Sequence, residues 1–277
     1  MTNKISVKSP IRYFGGKTGL APKIISLMPK HQKYVECFGG SGAVLSQKNP
    51  SQFEVYNDID SDLVNFFTQV KMNGDKLTEN LSGLPSSRFL FERWKNEDFP
   101  LDPLEWATRW FYLIRQRIHP SNATLKSGWR AGKHKNLAFD YQNAVKRIPL
   151  FSKRLQKVSI TNNDFRNVII ENDSPDTLFF IDAPYVERER YYKGGFSMED
   201  HVELAQMLYF IQGKAIVTYY DHPLINELYS GWNRIEVETF VGSSTMKEGM
   251  HRRKEKELIL MNYDLDSKDD NKQISLF

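Results

Sequence analysis

The chain has a single cysteine among its 277 residues, Cys37. That excludes a structural disulfide framework and a cysteine-rich zinc site. Cys37 itself reads as a small buried hydrophobe. No apolar run approaches the roughly 18 residues of a membrane-spanning helix. The opening MTNKISVKSP has no apolar core, so it does not read as a secretory signal. Internal repeats are also missing. A cytoplasmic enzyme or binding protein is the expectation. The chain is 40% hydrophobic and 26% charged, which fits one large domain, or one domain carrying an insertion.

Net charge is also scarce, at +4, but it is unevenly spread. Residues 88–157 carry 15 Lys/Arg against 6 Asp/Glu, and the rest of the chain is net negative by five. A polyanion facing the middle of the chain would explain the excess. A solvated, basic helical surface is the alternative.

The apolar pattern outlines an α/β fold. Residues 20–30 form an amphipathic helix, and Tyr34–Phe38 is an apolar strand bounded by glycines. A glycine turn, a helix from Ala43, a second strand at Phe53–Tyr56 and a helix carrying Leu63, Phe66, Phe67 and Val70 follow. This is the opening of a doubly wound sheet. The strand pattern lapses over 85–156, where Trp106, Trp110, Leu113 and Ile114 predict a helix and 125–136 a glycine-rich basic loop or hairpin. Strands return at Lys157–Thr161, Thr177–Ile181, Lys214–Tyr220, Arg234–Phe240 and Glu257–Tyr263. Ser197 and Asp200 form a capping box for a helix that Gly213 closes. The sheet is thus interrupted by a basic, mostly helical insertion. The tail from Asp264 to Lys272 is charged and flexible, and it ends in the apolar Gln273-Ile-Ser-Leu-Phe277.

Three constellations carry chemistry. Phe38-Gly-Gly-Ser-Gly42 follows the first strand, where glycines let the backbone approach a ligand. Asp58 closes the second strand, where a carboxylate accepts from ribose hydroxyls. Tyr13-Phe-Gly15-Gly16-Lys17 places a glycine pair before a lysine, which suits an anionic group beside an aromatic ring; a surface turn is the alternative. Asp182-Ala183-Pro184-Tyr185 follows the apolar strand 177–181. A carboxylate, a carbonyl before proline and an aromatic ring at that place could hold both hydrogens of an exocyclic amine and stack its ring. An ordinary strand-end turn is the alternative.

These motifs, in this order across residues 9–263, resemble the alpha-type, Dam-like (D12 class) DNA adenine N6-methyltransferases. The resemblance implies a Rossmann-like, S-adenosylmethionine-dependent catalytic domain over 1–84 and 157–263. It makes 85–156 a mostly helical target-recognition insertion that binds double-stranded DNA, and 264–277 a flexible tail. It implies cofactor contacts from Tyr13, Gly15, Gly16, Lys17, Phe38, Gly39, Gly40, Gly42 and Asp58, from Asp164 and Phe165 on the cofactor adenine, and from Asp182. The catalytic motif would be Asp182, Ala183, Pro184 and Tyr185, with no metal. Ala183 departs from the family's usual proline but keeps the carbonyl that the chemistry uses. The family's asparagine- and tyrosine-rich segment that reads GATC has no counterpart around residues 115–136, so a GATC target is not implied.

An adenine inside a duplex cannot present N6, so the base is expected to flip out, stack on Tyr185 and donate to Asp182 and the Ala183 carbonyl. Arg115, Arg117, Trp129, Arg130, Lys133 and Lys135 are the candidate DNA contacts, with salt-dependent affinity. His251-Arg-Arg-Lys254 reads as a solvated loop. Gln273–Phe277 resembles the peptide that binds the bacterial sliding clamp; a chain end packed on the core is the alternative. Other readings are methylation of another planar amine (RNA adenine, cytosine N4 or a protein amide) and a non-catalytic DNA-binding module. A nicotinamide-dependent enzyme is weakest, because nothing resembles a hydride-transfer site.

Overall fold

The computed structural model describes residues 7–13, 15–118, 127–132, 136–241 and 253–265. At its centre are seven strands: β1 (Lys33–Glu36), β2 (Phe53–Asn57), β3 (Val158–Thr161), β4 (Thr177–Ile181), β5 (Lys214–Tyr220), β6 (Asn233–Val241) and β7 (Arg253–Met261). They lie in the order β3-β2-β1-β4-β5-β7-β6. β7 is antiparallel to both neighbours, and the other pairings are parallel.

A mostly parallel sheet needs cover on both faces, and the alternation within β4 shows how it is obtained. Leu178 and Phe180 enter one apolar cluster with Val44, Phe67 and Ile216, whereas Phe179 and Ile181 enter another with Val35, Val217 and Leu258. The first face is covered by α1 (Ala21–Leu27), α2 (Ala43–Gln47), α3 (Ser61–Ser82), α4 (Arg88–Lys95), α5 (Pro103–Gln116), α6 (Leu137–Val145) and α7 (Ile148–Leu155). The second is covered by α8 (Phe165–Asn172), α9 (Met198–Phe210) and α10 (Pro223–Leu228).

The chain winds outward from β1 to β2 and β3, then returns to lay β4 on the other side of β1. A ligand crevice opens where the winding reverses, beyond the carboxyl ends of those two strands. This is the Rossmann-like sheet expected from the sequence.

Boundaries differ: the first helix is shorter than 20–30, the last strand begins at Arg253 rather than Glu257 and ends at Met261, and the helix after Ser197 ends early. The Ser197 capping box is present: Asp200 N–H donates to Ser197 Oγ at 3.2 Å and Ser197 N–H to Asp200 Oδ2 at 2.7 Å. The helix nevertheless ends at Phe210, not at Gly213, because Ile211 is already extended. The Asp173 carboxylate accepts the N–H groups of Gln212 and Gly213 and draws the chain into β5. Gly213 is needed for close approach, since a Cβ there would lie 2.8 Å from the Thr177 carbonyl oxygen.

Among its described residues the segment 85–156 supplies four helices, α4 to α7, and a backbone bridge between Arg117 and Trp129. Its helices share one apolar cluster with α3 and the sheet. Phe111 stacks on Phe66 at 5.1 Å, and Phe151 meets Phe67 edge-on at 5.3 Å. Its charge is also partly turned inward. Arg154 on α7 is buried and grips Glu54 of β2 with two bonds of 2.6 and 2.8 Å, while Lys48 Nζ lies 2.6 Å from the same carboxylate.

Candidate active site at the carboxyl ends of β1 and β4

The turn after β1 is shaped by what a side chain would meet. A Cβ on Gly39 would sit 2.2 Å from the Tyr56 ring, and Gly40 and Gly42 take φ of +50° and +63°. Tyr56 stacks on Phe67 at 4.0 Å and donates its hydroxyl to the Gly40 carbonyl at 2.7 Å. Asp58, just beyond β2, holds the turn from the other side. Its Oδ2 accepts from Gly40 N–H at 2.8 Å and its Oδ1 from Asp60 N–H at 2.9 Å. A carboxylate has about four acceptor positions, so capacity remains for ribose hydroxyls. Burial pushes the Asp58 carboxyl up to about 7, and the backbone N–H bonds only partly offset it. Glu36 at the end of β1 is likewise raised by burial to about 7.

The crevice above β1 and β4 is lined by Tyr13, Gly15, Lys17, Phe38, Asp58 and Asp182 among others. It continues into a cavity of about 270 Å³ whose walls include Cys37, Phe38, Asp164, Phe165 and Phe196. Phe165 lies 5.6 Å from Phe38 and 5.7 Å from Phe196, forming an aromatic slot. Asp164 caps α8 and pairs with Arg166 at the rim. Burial raises the Cys37 thiol, which keeps it inert.

Lys17 lines this crevice, and its ammonium is held by carboxylates of the chain itself. Its three ammonium donors already have acceptors within the chain: Gly15 O at 3.0 Å, Asp182 Oδ1 at 2.7 Å and Glu257 Oε1 at 3.2 Å. Burial pulls the ammonium down, but Asp182 and Glu257 more than offset it, so Lys17 stays charged. Thr218 Oγ1 also donates to Asp182 Oδ1, at 2.9 Å. Among the described residues both partners take Oδ1, so Oδ2 has capacity to accept a further hydrogen.

Tyr185 is buried and donates to Glu257 Oε1 at 2.8 Å. Tyr220 meets its ring edge-on at 4.6 Å, and the Lys17 ammonium lies 4.8 Å from its centroid. A second cleft of about 580 Å³ opens here, lined by Leu20, Tyr185, Arg188, Tyr220 and Glu257. Gly15, Gly16, Lys17 and Tyr192 line both clefts. The Asp182–Tyr185 segment passes between them, Asp182 and Pro184 on the first and Tyr185 on the second. Ala183 is buried beneath.

The candidate DNA contacts scatter. Arg115 and Arg117 are 5% and 3% exposed, and burial lowers both guanidinium groups to about 10. Arg115 Nη2 pairs with Asp140 at 3.1 Å. Arg117 lies instead near Tyr13, Asp60 and Asp62, whose charges partly offset its burial. Trp129 is partly buried against the main apolar cluster. Arg130 is the more open of the arginines and lies 2.7 Å from the same Asp140 carboxylate. Phe14, Lys133, Lys135, His251, Arg252 and Gln273–Phe277 lie outside the described residues.

Glu257 and Thr218 were not legible as site residues. Glu257 sits in the charged run Arg253-Lys-Glu-Lys-Glu257, which reads as a solvated strand edge. One signal was present: a carboxylate at 257 is in phase, by period two, with the buried Ile259 and Met261.

A model of the D12 class N6 adenine-specific DNA methyltransferases matches residues 13–242. The chain is 28% identical to the type II methyltransferase M1.LlaDCHI of Lactococcus lactis subsp. cremoris, over 94% of this chain and 97% of that protein. It is 26% identical to the type II methyltransferase M.MjaIII of Methanocaldococcus jannaschii, over 94% and 100%. It is 23% identical to a DNA adenine methylase of Haemophilus influenzae, over 92% and 94%. With motifs, sheet order and crevice in agreement with that match, the chain belongs to the D12 class of N6 adenine-specific DNA methyltransferases and is a DNA adenine methyltransferase.

Proposed function

We propose that the chain methylates N6 of a specific adenine that is flipped out of duplex DNA into the cleft beside Tyr185, with S-adenosylmethionine in the crevice above β1 and β4. The observation that carries this reading is the shared wall: the Asp182–Tyr185 segment faces both clefts across Lys17. The family implies S-adenosylmethionine, and the residues fit it. Asp58 has acceptor capacity for the ribose, the Phe38–Phe165–Phe196 slot suits a flat adenine with Asp164 at its rim, and the glycine turn, with no side chains, lets the methionine part approach the backbone closely. Bound there, it supplies an electrophilic methyl group on sulfur.

The chain's own residues do the rest. Tyr185 stacks the target base. Asp182 Oδ2 and the Ala183 carbonyl accept from the amine and turn the N6 lone pair toward the crevice. Orientation and fixed charge lower the barrier without a covalent enzyme intermediate. Residues 85–156 serve as the recognition segment, with Arg130, Lys133 and Lys135 as its candidate DNA contacts, and the catalytic domain is formed by 1–84 and 157–263. As with the type II relatives, a role in a modification system follows. Incubation with S-adenosylmethionine and unmethylated DNA, digestion to nucleosides and mass spectrometry should give N6-methyladenine. N4-methylcytosine, or no methylated nucleoside despite cofactor binding, would sink the reading. Methylation-sensitive sequencing of the same DNA maps the site.

Asp58 makes the cofactor step pH-dependent. Its carboxyl takes a proton as pH falls through about 7, and a neutral carboxyl is the weaker acceptor. Affinity for S-adenosylhomocysteine, by calorimetry, should therefore fall between about pH 8 and 6, and Asp58→Asn should flatten the slope. Glu36 titrates in the same window, so Glu36→Gln is the control. An unchanged slope in Asp58→Asn would reject the assignment. By the same linkage, burial of these two carboxyls favours the folded chain most below about pH 4, and this contribution is lost as pH rises through about 7.

Gln273–Phe277 is proposed to dock on the sliding clamp, holding the enzyme at replicating DNA through a charged tether. A clamp pull-down should succeed with the wild type and fail with Leu276→Ala/Phe277→Ala. No binding of the wild type at micromolar clamp removes the proposal.

A further inference from the structure

We propose that Glu257 is a positioning residue for methyl transfer: it fixes the Tyr185 ring and divides the Lys17 ammonium with Asp182, so that Lys17 does not spend its whole charge on the carboxylate that faces the target amine. The inference rests on the reading that the adenine stacks on Tyr185 and donates to Asp182.

Three observations place Glu257 in this role. It lies on β7, an inner strand, opposite Tyr220 of β5 and Val237 of β6, so its backbone is held from both sides. Its side chain is buried, yet it lines the cleft beside Tyr185. One oxygen, Oε1, meets both the Tyr185 hydroxyl at 2.8 Å and the Lys17 ammonium at 3.2 Å. Glu257 is 72 residues from Tyr185, so only the fold brings the two together.

Two consequences follow. A tyrosine ring free to turn about its Cα–Cβ bond stacks a base poorly, and the hydroxyl-to-carboxylate bond pins its far end. Lys17 stands between two carboxylates, so its charge is divided between Asp182 and Glu257. Without Glu257 the whole ammonium charge falls on Asp182, which then attracts the N6 hydrogens less. A residue that merely neutralised Lys17 would do neither, since Asp182 already pairs with that ammonium at 2.7 Å.

Glu257→Gln and Glu257→Leu separate the two effects. The carboxamide oxygen of glutamine still accepts from Tyr185, but the charge is gone. With 2-aminopurine at the mapped target position, Glu257→Gln should retain the fluorescence rise of a flipped base. DNA affinity should stay within about threefold, while single-turnover methylation falls about tenfold or more. Glu257→Leu should lose the rate and also alter the fluorescence rise. Tyr185→Phe, which keeps the ring and Lys17, should reproduce that fluorescence change. Methylation within twofold of wild type in both Glu257 variants would overturn the inference. So would parallel loss of thermal stability, DNA affinity and rate, with a wild-type fluorescence response in Tyr185→Phe. The wild type forming no N6-methyladenine would instead overturn the reading beneath it.

Discussion

Asp182→Ala should lower the single-turnover rate of adenine methylation by about 10²–10³-fold, the scale on which a fixed group facing developing charge acts in a water-poor site. The geometry assigns the loss to the chemical step. Oδ1 is held by Lys17 at 2.7 Å and by Thr218 at 2.9 Å, so the carboxylate enters the reaction already oriented. The variant removes the acceptor and leaves Lys17 on Glu257 and Gly15 O, so the ammonium is not abandoned. DNA affinity should therefore stay within about threefold, and kcat should fall without a matching rise in KM. Asp182→Asn keeps an oxygen but loses the charge, and should fall between the two. Rapid-quench methylation with enzyme in excess, beside DNA binding by fluorescence anisotropy, tests this. Turnover of Asp182→Ala within tenfold of wild type would falsify the catalytic role.

The second large effect is on folding. Arg154→Ala should destabilise the chain by about 3–5 kcal/mol, because it leaves Glu54 buried against a single ammonium. Arg154 reaches Glu54 with two bonds and also donates to the Leu45 carbonyl at 2.8 Å, tying α7 to β2 and α2. Replacement by an apolar side chain is the informative partner. Arg154→Met/Glu54→Leu removes both charges and should recover much of the loss, since a buried ion pair is often matched by packed hydrophobes. Urea unfolding by circular dichroism reads both. An Arg154→Ala variant within about 1 kcal/mol of wild type would mean that water reaches this pair. Normal salt dependence of DNA binding in a folded Arg154 variant would agree with its position inside the chain.

Much of the site was legible because its parts are local. A glycine turn after an apolar strand, an acidic residue closing the next strand and Asp182-Ala-Pro-Tyr185 each lie within a few residues, and each stands at a strand's carboxyl end. The basic segment was legible only as composition. Counting charges over 88–157 could not tell that Arg115, Arg117 and Arg154 are buried, because their carboxylate partners are set by the fold: Asp140 for Arg115, Asp60 and Asp62 near Arg117, and Glu54, 100 residues away, for Arg154. The helix after Ser197 was legible at its start, where the cap is written in four residues. Its end was not, because Asp173, on another connection, decides where the chain turns.

The sequence alone determined the strands, the winding that follows from alternating elements, and the residue types that the chemistry needs. Those are consequences of period, propensity and turn chemistry over short range. Tertiary structure decided which oxygen of Asp182 meets Lys17 and Thr218, that all three Lys17 donors are taken within the chain, and that Glu257 lies against both Lys17 and Tyr185. The reason is physical: an ammonium or a carboxyl in the interior takes whatever partners the packed sheet brings within about 3 Å. Here β5 and β7 bring Thr218 and Glu257 to a motif that leaves β4.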